Sequence, residues 1–165
     1  MFALLVAGGF RISEVVTLEI GDCYLNDKPA QIRVNGKAGK TRAVPIPPEA
    51  VARLKSYLAS RDERVSDQSQ DRLLLRPDGR PMTRSAADYA IRGWFQRAKR
   101  TPPKGAVAHS FRHAYATMLI ESGVSLPEVQ QLLGHSDLAT TQAYIGVTDN
   151  GLEDAVMSNP ARSLL

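Results

Sequence analysis

The stretch "HSFRHAYAT", residues 109–117, holds side chains able to bind either a metal ion or a phosphate. His109 and His113 stand four apart, and on a helix that spacing puts both imidazoles on one face, as many zinc sites require. Arg112 lies between them, three after His109, and shares roughly that face. A permanent cation suits a metal site badly and a phosphate site well, because its planar fork donates two hydrogen bonds to two phosphate oxygens. A histidine one turn earlier adds a third donor or accepts a proton. On spacing alone, an ordinary helix start accounts for H-x-x-R just as simply.

Other polar residues need a job as well. Arg11 follows "AGGF" and precedes a helical run; by itself it reads as a surface arginine. "NGKAGKTR" gathers Lys37, Lys40 and Arg42 around two glycines. That is either a solvated hairpin tip or a flexible tip carrying an ammonium to a phosphate or a leaving oxygen, for which lysine's mobile point charge is suited. His135 follows Gly134 at the end of a helical stretch, and Tyr144 lies nine residues on. A tyrosine is a weak nucleophile with its pKa near 10, so it needs nearby cations to favour the phenolate.

The elements that must position these groups are mostly helices. "MFALLVAGGF" is apolar at nearly every position and has no capping residue before it. It reads as the end of a helix that begins in a larger protein. From Ile12 the pattern is helical again, with Ile12, Val15, Val16 and Leu18 on one face and Ser13 and Glu14 between them. Cys23 to Ile46 reads as a small antiparallel sheet with "NGKAGK" at its tip and Val44 and Ile46 on one side. "PPEAVARLKSYLASRDER" is a helix with Pro48 near its start and a Val51, Leu54, Leu58 stripe. "SAADYAIRGWFQRAKR" is a helix with Ser85 as candidate cap, and "TPPKGAVA" is a loop. A helix from about His109 runs to Gly123. "SLPE" opens the next as a capping box of Ser125 and Glu128, and that helix ends at Gly134. Ser136 and Asp137 begin a further short helix carrying Tyr144. The expected fold class is α+β: mainly helical, with a small antiparallel β-sheet near the N-terminus.

Bulk composition narrows the partners. The 165 residues suit a single domain. A net charge of +4 fits a polyanion partner without requiring one. No apolar run approaches the length of a membrane span, so no membrane is expected. The single Cys23 excludes an internal disulfide, fits a reducing, cytoplasmic location, and reads as a small packing residue.

Taken in order, "GGFRISEVVTL", "VNGKAGKTRAVPI", "HSFRHAYAT" and "LGHSDLATTQAYIGV" resemble the catalytic domain of the tyrosine recombinases, the phage integrase family. The resemblance covers nearly the whole chain, and the step from His135 to Tyr144 is its sharpest part. It implies site-specific DNA recombination through a covalent 3′-phosphotyrosine, with neither cofactor nor metal nor ATP. Arg11 and Arg112 would clamp the phosphate and Lys37 would protonate the leaving 5′ oxygen, with Lys40 close enough to contest that role. His109 would assist proton transfer at the tyrosine, His135 would hydrogen-bond the phosphate, and Tyr144 would be the nucleophile. Glu14 would support the site, and His113 would support it or simply pack. The implied partners are a double-stranded DNA recombination site and other recombinase protomers, a tetramer on DNA. A separate N-terminal DNA-binding domain is expected ahead of residue 1. "GKAG" departs from the family's usual "GKGG" or "GKGN" but keeps the lysine. "LEDAVM" would form a C-terminal helix, docked on a neighbouring protomer or on its own chain.

Three other readings compete. They are a metalloenzyme built on His109, His113 and His135, a DNA-binding module without chemistry, and a topoisomerase-like relaxer of supercoils. The phosphate clamp predicts strand cleavage that persists in EDTA, whereas the three-histidine metal site predicts its loss; a cleavage assay with and without chelator separates them.

Overall fold

The computed structural model describes residues 1–36, 41–65, 71–102, 107–134 and 149–164. Two short helices open the chain, α1 (Phe2–Gly8) and α2 (Ile12–Thr17). Strands β1 (Cys23–Tyr24), β2 (Gln31–Asn35) and β3 (Thr41–Pro45) follow, and then α3 (Pro48–Arg61). The second half is helical: α4 (Arg84–Arg97), α5 (Val107–Glu121), α6 (Leu126–Leu133) and α7 (Asp149–Ser158). A 3-10 turn at Pro160–Leu164 ends the described chain. The expected fold class holds, including the early position of the sheet.

The sheet is antiparallel in the order β1-β2-β3. In its β2–β3 register Ile32 faces Val44 and Val34 faces Arg42. Ile32, Val34 and Val44 are all buried, so this face of the sheet looks inward. Alternation therefore also turns Arg42 inward, whereas Thr41 and Ala43 are exposed.

The core is built on α1. Its Leu4 and Leu5 are completely buried, and it packs against α5, α3 and the Pro160–Leu164 turn. The C-cap of α1 is Gly9, in the left-handed conformation at φ 56°. A Cβ there would stand 2.4 Å from Cδ1 of Tyr115, a buried residue of α5. Gly9 thus reverses the chain and lets α1 lie against α5, and Arg11 follows two residues later.

Two helix starts differ from the sequence expectation. Helix α4 is capped by Thr83, whose hydroxyl accepts from the Ala86 N–H at 3.2 Å, and not by Ser85. The Met82 N–H donates to Leu74 O at 2.8 Å, which keeps the chain extended up to Thr83. Ser85 is then already inside the first turn. Helix α5 starts by Val107, because Val107 and Ala108 are buried and belong to its packed face. The Ser125–Glu128 capping box forms as expected, as does the Gly134 stop. Helix α7 packs in the chain's own core through Leu152, Ala155 and Val156. Beyond it Arg162 makes a two-pronged pair with Glu49, at 2.8 and 3.2 Å. Among the described residues no helix is long and apolar enough to cross a membrane.

Gly9→Ala should destabilise the protein by about 2 kcal/mol or more, from left-handed backbone strain and overlap with Tyr115. Gly21→Ala, where an added Cβ meets nothing within 4 Å, should stay within about 0.5 kcal/mol of wild type. Urea unfolding of the two variants checks the contrast.

Candidate active site

Arg11 occupies the N-cap position of α2, with extended φ and ψ of −71° and 146°. Glu14 stands three residues later, where a carboxylate reaches back to the first free backbone N–H groups. The Arg11 N–H donates to Glu14 Oε2 at 2.8 Å, and Arg11 Nη1 donates to Glu14 Oε1 at 3.0 Å. Glu14 is buried, with its side chain 5% exposed; that of Arg11 is 38% exposed. The carboxylate is anchored and the guanidinium it holds faces outward.

Glu14 has a second partner. Arg42, from the inward face of β3, donates Nη1 to Oε1 at 2.9 Å and Nη2 to Oε2 at 3.0 Å. Its Nε donates to Leu132 O at 3.2 Å, in the last turn of α6. Burial alone would raise the Glu14 pKa. The bonds from Arg42 and then from Arg11 outweigh it and hold the carboxyl below its ordinary value.

Arg112 is 3% exposed. Its Nη1 donates to Gly9 O at 3.0 Å, and its Nη2 donates to Leu133 O. Burial, and after it the charge of Arg11, lowers its pKa to about 10, so it stays charged at neutral pH. Two of its five N–H groups donate to these carbonyls among the described residues.

A cleft of about 180 Å³ lies in front of these groups. It is lined by Arg11, Ile12, Ser13, Arg84, Asp88, Ala108, His109 and Arg112. Residues chosen from separate stretches of sequence thus share one cavity: Arg11 from α2 and His109 and Arg112 from α5. Glu14 stands behind Arg11. His113 is not among the lining residues; its ring meets that of His109 edge-on, with centroids 4.6 Å apart. Burial first, then the charges of His113, Arg112 and Arg11, lower the His109 pKa from its ordinary value. His109 is therefore neutral at pH 7 and able to accept a proton. Lys37, Lys40, His135 and Tyr144 lie outside the described residues.

Three participants have a place that the sequence reading does not give them. Arg84 and Asp88 enter the cleft from the first turns of α4, and spacing gave no hint that α4 reaches α2. Arg42 did carry a signal. Its alternation with Val44 and Ile46 puts it on the buried side of the strand, but its nearness to Lys37 and Lys40 invited the hairpin-tip reading.

The family model for the phage integrase family matches residues 1–150. The chain belongs to the phage integrase family. Among its curated relatives is tyrosine recombinase XerD of Ralstonia nicotianae, 39% identical over 148 residues, 89% of this chain and 47% of the relative. Tyrosine recombinase XerD of Halalkalibacterium halodurans is 36% identical over 156 residues, 93% of this chain and 50% of that one. The chain spans about half the length of these relatives. The crystal structure of XerA recombinase superposes with a TM-score of 0.71 and 30% identity, covering 96% of this chain and 56% of that one. XerH recombinase bound to its difH substrate, a pre-cleavage complex, gives a TM-score of 0.69 at 28% identity, covering 88% and 41%.

Because the folded pKa of Glu14 lies below the unfolded value, its stabilising contribution is present above the ordinary carboxylate range. It is lost as the pH falls through the folded value. Glu14→Gln should cost roughly 3 kcal/mol at pH 7, since it leaves Arg11 and Arg42 without their buried counter-charge. The gap to wild type should close as the pH drops below about 4. Denaturant unfolding across that range decides it, and a gap independent of pH would contradict the ion pair.

Proposed function

We propose that this chain carries the chemistry of a site-specific tyrosine recombinase, cutting and rejoining double-stranded DNA through a 3′-phosphotyrosine. The observation that carries the reading is the shared cleft: Arg11, His109 and Arg112 line one cavity, with buried Glu14 fixing the first arginine. Membership of the phage integrase family supports it, as does likeness to XerH held on a DNA substrate.

In the proposed reaction the Tyr144 oxygen attacks the scissile phosphorus, and the bond to the 5′ oxygen breaks. His109, neutral at pH 7, takes the tyrosine proton. Lys37 or Lys40 supplies a proton to the leaving 5′ oxygen. Arg11 and Arg112 face the non-bridging oxygens, where charge gathers in the pentacovalent transition state, and His135 adds a further donor there. Two guanidiniums held in place beforehand stabilise that state more than the ground state. The phosphotyrosine conserves the energy of the broken backbone bond, so a 5′ hydroxyl from another strand reverses the step without ATP. The proposed partners are double-stranded DNA and further copies of the protein assembled on it.

The test is a pool of nicked suicide duplexes with randomised sequence around the nick. The protein should form a protein–DNA adduct that survives denaturant, and Tyr144→Phe should abolish it while leaving the fold intact. Arg11→Ala should slow adduct formation by about 10²- to 10³-fold. An adduct that persists in Tyr144→Phe would remove the nucleophile. DNA binding with no adduct in the wild type would favour a binding module. Lys37→Ala and Lys40→Ala on a substrate with a better 5′ leaving group identify the acid, as the variant that this substrate rescues.

A further inference from the structure

The cleft depends on a residue that does not line it. Arg42 offers its planar fork to both oxygens of Glu14, at 2.9 and 3.0 Å. The same carboxylate holds the backbone and guanidinium of Arg11. The third nitrogen of Arg42, Nε, donates to Leu132 O at 3.2 Å. One residue further on, Leu133 O accepts from Arg112. The last turn of α6 is thus held by two arginines from different elements, a favourable place for cations because helix-end carbonyls carry partial negative charge.

Gly134 shows how closely Arg42 is seated. It closes α6 at φ 64°, and a Cβ on it would stand 2.9 Å from Cδ and Nη1 of Arg42. The Arg42 side chain is 15% exposed and Glu14 5%, so water competes little for these bonds. A lysine here would keep a charge but lose the fork and the third donor.

We infer that Arg42 is a positioning residue for the cleft: it ties the carboxylate that orients Arg11 to the end of the helix that also receives Arg112. It sets the spacing of the two cleft arginines without touching their ligand. The inference rests on the reading of the cleft as a phosphate site. Among the described residues, the charged groups around Glu14 are Arg11 at the start of its own helix, Arg42 from β3 and Arg112 from α5.

The experiment uses the whole chain, inorganic phosphate as probe, and NMR. Phosphate binding is read at the Arg11 side-chain N–H, and Glu14 ionisation at its carboxyl carbon. In Arg42→Gln the Glu14 titration should move up by about one pH unit or more. Phosphate affinity should fall roughly tenfold, the usual scale for losing a group that orients a ligating side chain. Arg42→Lys returns the charge without the fork, so the Glu14 titration should recover while the affinity stays reduced; this variant decides the matter if Arg42→Gln does not fold. A lysine variant equal to wild type in both readings overturns the positioning role, as does an Arg42→Gln that binds phosphate as wild type does. A wild type in which phosphate leaves Arg11 unmoved sinks the phosphate reading itself, which separates the two failures.

Discussion

A single buried carboxylate organises this molecule's polar centre. Glu14 is an anion removed from water, a state that is unfavourable unless cations and donors surround it. Two guanidiniums from separate elements do so, with one backbone N–H. The consequence reaches beyond local stability. An ion pair this buried has one good geometry, so the helix carrying Arg11 and the strand carrying Arg42 are held in a fixed relation. The apolar core brings α1, α5 and the sheet together; the carboxylate decides how their polar edges meet.

The cleft follows from that constraint and from a second one. Gly9 makes the sharp reversal that α1 needs and leaves its carbonyl exposed to Arg112. The guanidinium of Arg112 is thereby held from behind on two carbonyls. Its neighbour Arg11 is held from behind on a carboxylate. Both are fixed before any ligand arrives, which is how a charged site avoids reorganising at the moment of reaction. His109 is different. It sits at the edge of the cleft, where partial burial first and neighbouring cations second lower its pKa, which suits a proton acceptor better than another positive charge.

Much of this was legible in the sequence. The helical periodicities, the Ser125–Glu128 box and the Gly134 stop came through because they are local rules, satisfied within one turn. The grouping of Arg11, His109 and Arg112 was legible only through resemblance, since no spacing rule connects residues a hundred positions apart. The cap of α4 was misplaced because two hydroxyls competed, and the choice fell to a backbone bond from Met82 to Leu74. Arg42 was misjudged for a related reason. A charge beside a glycine-rich turn looks solvated until its strand register is known, and a half-buried arginine is plausible only once its carboxylate is found. Arg84 and Asp88 were invisible because their place depends on how α4 lies across α2.

The bond from Arg112 to Gly9 joins residues 103 apart in the chain, and its bond to Leu133 spans 21. The longer of these contacts exists only when a loop of that length has closed, at a cost in chain entropy. A growing or partly melted chain therefore holds its arginines apart and has no cleft. A protein proposed to break DNA has reason to be inert until it is whole. Here the safeguard is topological: the cleft exists only once distant parts of the polypeptide have met.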